Sequence, residues 1–260
     1  MKRNLVAVYF SPTRTSRTIA LKTASVLSTR WNSSVAEVDL TRPDARAKEY
    51  AFAPEDLVIF AFPVYAGRVP QVLEGVLAKM KGNGASVVPL CVYGNRAYED
   101  ALLEARNLLT ADGFSVIAAG AFIGEHSLSV KLAAGRPDSS DLQIASEFAE
   151  QIARKIEAGD FSTPVVKGNV PYRERMPAGD PVRPVTSGDC TGCGLCVKIC
   201  PMGIIDPADP KIVGEGCLYC SACVKRCPVH AKRFEDPRIL ALRERLETTF
   251  MDRKEPELFV

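Results

Sequence analysis

Eight of the nine cysteines of this 260-residue chain fall into two short runs that repeat one another. Each run has the spacing C-x2-C-x2-C-x3-C-P, and each cysteine of the second run lies 27 residues after its counterpart in the first. Thiols at this density must pair as disulfides or bind metal, so the repeat constrains the fold more than any hydrophobic pattern does. The first run is Cys190, Cys193, Cys196 and Cys200, and the second is Cys217, Cys220, Cys223 and Cys227.

The spacing is that of bacterial iron–sulfur proteins. Three closely spaced cysteines can wrap one face of a cubane cluster from a tight loop, and Gly192 and Gly194 let backbone N–H groups approach its sulfides. The stretch 186–236 resembles bacterial dicluster ferredoxins. The resemblance implies two 4Fe–4S clusters, and it implies that the fourth cysteine of each run binds the other cluster. The implied ligand sets are Cys190, Cys193, Cys196 and Cys227 for one cluster, and Cys217, Cys220, Cys223 and Cys200 for the other.

Two other interpretations of the cysteines were weighed against this one. Disulfides are disfavoured, because nothing marks the chain as secreted and dense C-x2-C runs in a cytosolic chain favour metal. Two zinc sites of four cysteines each stay open, although zinc ligands usually come as two pairs separated by a longer loop. The ninth cysteine, Cys91, lies within an apolar run and is expected in the core.

The charge of the chain is nearly balanced, with 33 basic and 31 acidic residues and a net charge of +2. This balance favours neither nucleic acid nor an anionic membrane as the main partner. The apolar run at 5–10 is too short for a signal peptide, and no stretch approaches the ~18 apolar residues of a membrane span. We therefore expect a cytoplasmic protein, and oxygen-labile clusters favour an anaerobic cell.

The first 160 residues alternate between predicted strands and helices. The run 56–62 is continuously apolar after Asp56, which suits a strand in a sheet that is covered on both faces. Alternation of this kind predicts an α/β domain with a doubly wound parallel sheet, and five strands fit the flavodoxin-like order 2-1-3-4-5. The predicted strands are 5–10, 35–40, 56–62, 86–92 and 114–122, and the predicted helices are 15–30, 70–81, 97–110 and 139–157.

In a sheet of this order, ligands bind beside the first strand, outside the carboxyl ends of the strands. The loop there is rich in hydroxyl groups and enters a helix, whose N-terminus favours an anion. It resembles the flavodoxin phosphate loop, roughly S/T-x-T-G-x-T, and departs from it at Arg14, where that family often has glycine. The alternative is a helix N-cap without a ligand. The candidate phosphate-binding residues are Ser11, Thr13, Arg14, Thr15 and Ser16.

Two further loops, 63–70 and 93–98, are expected at the same edge of the sheet. Each carries an aromatic residue and a glycine, which suits stacking on an isoalloxazine ring and access of backbone groups to its polar edge. They match in position the loops that hold the flavin ring in flavodoxins, and together the three loops predict bound FMN. The candidate ring-binding residues are Pro63, Val64, Tyr65 and Gly67 in the first loop, and Tyr93, Gly94, Asn95, Arg96 and Tyr98 in the second.

The whole chain resembles the flavodoxin–ferredoxin fusion proteins of anaerobic bacteria and archaea. The predicted parts are a flavodoxin-like FMN domain at 1–160, a proline-rich linker at 161–185, a small α+β dicluster ferredoxin domain at 186–236, and a C-terminal helix and tail at 237–260. The tail is expected to be loose or packed locally. His126 is expected to be structural, and the basic residues around the second cysteine run, Lys225 and Arg226 among them, to form a solvated face.

The resemblance implies an electron-transfer protein that passes electrons between two 4Fe–4S clusters and FMN, and on to redox partner proteins. No residue is predicted to act as a catalytic acid or base. Two alternatives stay open. The chain could be an FMN-dependent reductase of a small acceptor such as a quinone, a nitro compound or oxygen, fed by the clusters. It could instead be a ferredoxin with an empty flavodoxin-like docking domain.

Overall fold

The structure is a computed structural model that describes residues 4–175 and 182–260. The N-terminal domain, residues 4–160, alternates between strands and helices. Its elements are β1 (Asn4–Tyr9), α1 (Thr15–Trp31), β2 (Val35–Asp39), α2 (Pro43–Arg46), β3 (Tyr50–Ala51), β4 (Asp56–Pro63), a 3₁₀ turn (Gln71–Leu73), α3 (Glu74–Leu77), β5 (Met80–Lys81), β6 (Ser86–Tyr93), α4 (Ala101–Ala111), β7 (Ser115–Val116), β8 (Ala119–Ile123) and α5 (Ser139–Glu157).

The remaining elements are short, apart from one helix. The dicluster region, residues 182–236, contains β9 (Val185–Thr186), α6 (Leu195–Ile199), α7 (Ala222–Lys225) and β10 (Lys232–Arg233). It is followed by α8 (Pro237–Thr249) and β11 (Glu257–Phe259). Among the residues that the structure describes, no helix is long and apolar enough to cross a membrane.

The central sheet has the predicted topology. Strands β2, β1, β4, β6 and β8 lie side by side in that order and all pair in parallel. This is the doubly wound order 2-1-3-4-5 of a flavodoxin-like fold, so the predicted fold class is confirmed. Strand β4 is buried along six of its eight residues, as expected for a sheet that is covered on both faces.

Alternation along the strands divides the core between the two faces of the sheet. On one face, Phe60 of β4 packs in a cluster with Leu102 of α4. On the other face, the neighbouring Ile59 packs in a second cluster with Ile19 of α1 and Phe148 of α5. Helix α5 begins at a capping box in which the Asp138 side chain accepts from the Ser140 and Asp141 amides. Each face of the sheet is therefore sealed by helices, and the loops at its carboxyl edge stay available for a site.

The segment predicted as one helix over 70–81 is a 3₁₀ turn, the four-residue helix α3 and then a strand. Tertiary packing overrides the local pattern here, because Met80 of β5 is buried and pairs with Tyr50 of β3. Helix α4 begins at Ala101, later than the predicted start at 97, because Glu99 has a φ of 47° that a right-handed helix excludes.

The last residues of the chain form a strand that the sequence does not predict. Strand β11 pairs antiparallel with β8, with Glu257 opposite Ala121 and Phe259 opposite Ala119. It covers the edge of the central sheet next to the 93–98 loop, where the Tyr98 hydroxyl donates to Glu257. A sheet edge with unpaired backbone groups is thereby closed.

The described part of the predicted linker, 161–175, lies along the N-terminal domain. Val166 is buried in the same cluster as Leu102. The amides of Asn169 and Arg173 donate to the carboxylate of Asp100, which is 2% exposed. Two of the predicted linker prolines, Pro177 and Pro181, lie outside the described residues.

The backbone of the dicluster region repeats as its sequence does. In the first run, Gly192 and Gly194 have φ values of 68° and 67°, and α6 starts directly after Gly194. The positions 27 residues later are Tyr219 and Ser221, with φ values of 53° and 58°, and α7 starts directly after Ser221. The cysteine spacing imposes the same left-handed turns on residues that favour them much less than glycine does.

Candidate redox site

Each set of four cysteines borders its own cavity, and each set combines the two runs. The first cavity is lined by three cysteines of the first run and one of the second: Cys190, Cys193, Cys196 and Cys227. The second cavity has the reverse composition: Cys217, Cys220, Cys223 and Cys200. These are the two sets that the sequence analysis assigns to two clusters.

The four cysteines of a set enclose a space instead of converging on one point. Within 4–175 and 182–260, no three His, Cys, Asp or Glu side chains are grouped to hold a single metal ion. Both cavities have mostly apolar walls, with Leu195 and Val229 in the first and Ile205 and Phe234 in the second. All eight cysteines are free thiols, so all are available as ligands.

The two cavities differ in exposure. Cys193 of the first set is exposed, whereas Cys200 and Cys220 of the second set are buried. Burial raises the pKa of the Cys220 and Cys223 thiols to about 12. Burial also works against the Cys227 thiolate, but the backbone N–H groups that surround it lower the pKa of that thiol. One of them, the Ala231 amide, donates to Cys227 Sγ at 3.2 Å, which is the kind of contact that adjusts cluster potentials.

Two arginines of the N-terminal domain hold the end of α6 at the second cavity. Arg42 Nη1 donates to the carbonyls of Val197, Lys198 and Cys200 at 3.1, 2.9 and 3.1 Å. Arg46 Nη2 donates to the Pro201 carbonyl at 2.5 Å, while its Nη1 donates to the Leu40 and Thr41 carbonyls beside β2. The backbone around Cys200 is therefore fixed to the carboxyl edge of the central sheet.

The predicted ring-binding residue Tyr65 lies at the same boundary. Its ring packs edge-on against Phe10 at 6.5 Å, and Leu218 of the dicluster region packs against the same hydrophobic cluster. Burial raises the pKa of the Tyr65 hydroxyl, and the charges of Cys220 and Cys217 raise it further. Tyr65 is thus the predicted flavin residue that the fold places beside the second cysteine set.

The predicted phosphate loop has the form of an anion cradle. Arg14, which stands where flavodoxins often have glycine, has a φ of 72°, the left-handed conformation that glycine adopts easily. Ser11 fixes the loop, because its amide donates to Thr41 Oγ1 and its Oγ accepts from the Arg17 amide. Among the described residues, the Thr15 and Ser16 amides have no acceptor, and the fully buried Ser16 Oγ has no hydrogen-bond partner. These unpaired groups fit a bound phosphate.

The cradle opens into a cavity of about 350 Å³ between the two parts of the chain. Thr13, Arg14 and Thr15 line it from the N-terminal domain, and Lys225 at the end of α7 and the following Arg226 line it from the dicluster region. Burial lowers the pKa of Arg226, and the positive charge of Arg14 lowers it further. Lys225 is already bound, since its Nζ donates to Glu125 and to the His126 and Ser129 carbonyls. The two guanidinium groups, for which the structure shows no side-chain partner in the described residues, leave an excess of positive charge in this cavity.

The loops predicted to bind the flavin ring are more crowded than the sequence suggests. A Cβ on Gly67 would lie 1.7 Å from Glu99 Oε2, and a Cβ on Gly94 would lie 2.5 Å from the His126 ring. The free faces of both glycines are therefore covered by the protein itself. Pro63 is the last residue of β4, and the following Val64 packs against the core cluster on that side of the sheet.

The other predicted residues of the second ring loop face inward or toward the tail. Tyr93 and Tyr98 are buried with their rings 5.5 Å apart. Asn95 Nδ2 donates to the Phe250 and Asp252 carbonyls, while the buried Asn95 Oδ1 has no partner in the described residues. Arg96 pairs with Glu99 at 2.8 Å. The structure thus fits the phosphate end of FMN, but it does not leave Gly67, Gly94 or Tyr98 open to a ring.

Sequence reasoning missed the contributions of Arg42, Arg46, Lys225 and Arg226. Arg42, Arg46 and Lys225 bind groups about a hundred residues or more away in the chain, across the boundary between the N-terminal domain and the dicluster region. Arg226 lines the cavity at that boundary together with Arg14. No local spacing marks such residues. The only signal in the sequence is the concentration of basic residues around the second cysteine run, and this is equally typical of a solvated face.

The sheet and the paired cysteine sets define an α/β domain joined to an iron–sulfur domain. Residues 189–232 match the protein family described as a 4Fe-4S dicluster domain. The chain is therefore a fusion of a flavodoxin-like domain with a dicluster ferredoxin domain, the architecture expected from its sequence. Iron–sulfur binding and electron transport follow from the second domain.

Comparison with solved structures gives similar folds at low sequence identity. The chain is similar to a flavodoxin of Streptococcus pneumoniae TIGR4 at 17% identity and a TM-score of 0.41, with 58% of this chain and 98% of that chain covered. It is similar to the apo form of an NADH:FMN oxidoreductase at 19% identity and a TM-score of 0.41, with 57% and 89% covered. An azoreductase from Bacillus anthracis gives 13% identity, a TM-score of 0.41, and 57% and 99% covered. Comparison with curated proteins gave no match.

Proposed function

We propose that the chain is an electron carrier with two 4Fe–4S clusters and FMN. One cluster is bound by Cys190, Cys193, Cys196 and Cys227, and the other by Cys217, Cys220, Cys223 and Cys200. The observation that carries the proposal is the grouping of eight free cysteines around two separate cavities, each of which takes three cysteines from one run and one from the other. This is the ligand exchange of two-cluster ferredoxins.

FMN is proposed to bind with its phosphate in the cradle at the start of α1. The Thr15 and Ser16 amides and the Ser16 hydroxyl would donate to the phosphate, and Arg14 and Arg226 would neutralise it. When bound, FMN supplies a two-electron couple that can exchange single electrons with iron–sulfur clusters. Among the other candidates, Tyr65 would lie between the flavin and the second cluster, because Leu218, the residue after Cys217, packs against the same hydrophobic cluster as Tyr65.

The exposure of the cysteines supports an order of the centres. Because Cys193 is exposed, the first cluster would lie near the surface, where a redox partner protein could approach it. Because Cys200 and Cys220 are buried and Arg42 and Arg46 bind the backbone at Cys200 and Pro201, the second cluster would lie next to the N-terminal domain. Electrons would then pass between a partner, the first cluster, the second cluster and the flavin. Thiols that hold such clusters need a reducing compartment, so we place the protein in the cytoplasm.

Anaerobic purification, followed by quantitation of iron, sulfide and flavin, tests this proposal. We expect about eight irons and one FMN per chain. The Cys193→Ser and Cys220→Ser variants should each lower the iron content, whereas the matched Cys91→Ser variant should not, since Cys91 lies in the sheet. Zinc in place of iron, in protein from iron-replete cells kept free of oxygen, would overturn the electron-transfer function.

A second function is favoured by one observation, the cover over Gly67 and Gly94 by Glu99 and His126. In this alternative the N-terminal domain holds no flavin and serves to dock a partner of the ferredoxin. Full iron content without flavin, and no flavin uptake when FMN is added to the purified protein, would select it. FMN uptake that is lost in the Ser16→Val variant would select the flavin carrier.

A further inference from the structure

Lys232 is a buried cation without an anionic partner. Its side chain lies in β10 and the residue is 3% exposed. Its Nζ donates to Thr186 Oγ1 at 2.8 Å and to the Pro210 carbonyl at 2.7 Å, both of which are neutral. In the described part of the chain, no carboxylate forms an ion pair with it. An ammonium group removed from water is strongly destabilising unless a negative charge lies nearby.

The fold places Lys232 on the cluster side of its strand. β10 pairs antiparallel with β9, and the register sets Lys232 opposite Thr186 and Arg233 opposite Val185. Successive side chains of a strand point to opposite faces. Arg233 is accordingly exposed and pairs with Glu235, while Lys232 points inward and lines the cavity of the first cysteine set.

Lys232 lines the first cavity together with Cys190, Cys196 and Cys227, and it is absent from the wall of the second. Its neighbour Ala231 is fully buried and donates from its amide to Cys227 Sγ at 3.2 Å. The buried cation therefore borders the space that the first cysteine set encloses.

We propose that Lys232 is the counter-cation of the cluster held by Cys190, Cys193, Cys196 and Cys227, and that its charge raises the reduction potential of that cluster. The proposal rests on the binding of two clusters proposed above. Each cluster takes up one electron from a low-potential one-electron donor and gains one negative charge, and no bond to a ligand forms or breaks. A fixed positive charge nearby favours the more negative, reduced form. Because the charge is buried, salt screens it little.

The test compares Lys232→Met with Arg233→Met in the full-length protein, purified without oxygen. Both variants remove one positive charge from the same strand, but only the first removes a buried one. We expect Lys232→Met to keep its iron and to show one clearly lowered midpoint potential in a dithionite-poised spectroelectrochemical titration. The one-electron equilibrium constant for reduction of that cluster should fall at least about tenfold, a shift of about 59 mV, and the constant of the other cluster should fall by less. The midpoint potentials of Arg233→Met should shift by much less.

Each outcome of the experiment decides the question. The iron content of the unaltered protein tests the proposed clusters independently of Lys232. Full iron content in Lys232→Met with unchanged potentials would refute the role of Lys232 alone, and equal shifts of both potentials would refute its assignment to the first cluster. If Lys232→Met loses its clusters, the Lys232→Arg variant, which keeps the positive charge, is measured in its place. Retained clusters with nearly unchanged potentials in Lys232→Arg would support the role of the positive charge. Loss of clusters in both variants would refute that role and show that the packing of the lysine side chain is what matters.

Discussion

At the scale of single residues, Asp141 joins three parts of the N-terminal domain. Its fully buried carboxylate accepts two hydrogen bonds from Arg136 and one from the Asp138 amide at 2.9 Å. Arg136 in turn donates to the Lys254 carbonyl of the tail at 2.6 Å. Helix α5, the 124–137 loop and the tail therefore depend on one buried ion pair.

The Asp141→Asn variant should be strongly destabilised, because it leaves the Arg136 guanidinium buried without a counter-charge. Loss of one partner of a buried pair typically costs about 3–5 kcal/mol. Anaerobic urea unfolding measures the change, and Glu147→Gln, on the exposed face of the same helix, serves as the matched control with an expected change below about 0.5 kcal/mol. A midpoint for Asp141→Asn close to that of Glu147→Gln would show that the pair is not important.

His126 should make stability depend on pH. Burial, with the charges of Lys225 and Arg96, lowers the pKa of His126 from 6.5 to about 4. The unfolded chain therefore binds a proton at His126 more readily than the folded chain does. The contribution of His126 to the free energy of unfolding is fully present above pH 6.5 and is lost as the pH falls toward 4. Between pH 8 and 5.5 the loss amounts to about 1.4 kcal/mol from this group alone.

Urea unfolding at the two pH values measures this loss in the unaltered protein and in His126→Asn. In the unaltered protein, the Leu128 amide donates to His126 Nδ1 at 3.1 Å. Asparagine does not titrate, and its Oδ1 can accept the same hydrogen bond. The variant should lose about 1.4 kcal/mol less on acidification. An equal pH dependence in both proteins would mean that other groups cause the effect.

At the scale of elements, β11 is the addition that closes the sheet. It pairs with β8 through Glu257, Leu258 and Phe259, and Glu257 also accepts from Tyr98. Deletion of residues 257–260 should expose those amides of β8 that face the tail. Each lost backbone hydrogen bond contributes about 1 kcal/mol, so their hydrogen exchange should rise by about fivefold or more.

Deletion of Val260 alone is the matched control, because Val260 is exposed and lies beyond the strand. Exchange over 119–123 should then stay at its normal rate. If the longer deletion also leaves exchange over 119–123 unchanged, the pairing with β11 does not protect the edge of the sheet.

The elements show which parts of the fold a sequence can predict. Three central strands were predicted from nearly continuous apolar runs of six to eight residues, as at 57–62. Strand β2 is different, because Glu37 and Asp39 interrupt its apolar residues. Strand β11 has three residues and strand β5 has two, so their pairing depends on contacts elsewhere in the fold. The spacing within each cysteine run is local and could be seen in the sequence, whereas the exchange of the fourth cysteine is implied by the resemblance to dicluster ferredoxins. The crowding at Gly67 was not predicted, because Glu99 reaches Gly67 only after the chain has folded.

At the scale of the whole molecule, each of the two domains has basic side chains that bind oxygen atoms of the other domain. Arg42 and Arg46 of the N-terminal domain hold the carbonyls from Val197 to Pro201. Lys225 of the dicluster region is held by the 125–129 loop. These contacts bring the second cysteine set and the phosphate cradle to the same edge of the sheet. They lie far apart in the sequence, which is why sequence reasoning could predict each domain but not their arrangement.

The Arg42→Ala/Arg46→Ala double variant should weaken this arrangement while leaving both cysteine sets intact. Hydrogen bonds to charged groups contribute about 1.5–3 kcal/mol each, and the partial exposure of Arg42 reduces its share, so we expect a loss of about 2 kcal/mol in docking. Hydrogen exchange over 195–201 should rise by about thirtyfold, and iron content should not change.

The control is Lys211→Ala/Arg233→Ala, which removes the same charge from exposed positions of the dicluster region. If both double variants exchange at the same rate, net charge and not the arginine contacts determines the arrangement. If only the first variant exchanges faster and also equilibrates electrons more slowly between clusters and flavin, the arginines hold the second cluster at the distance that transfer requires.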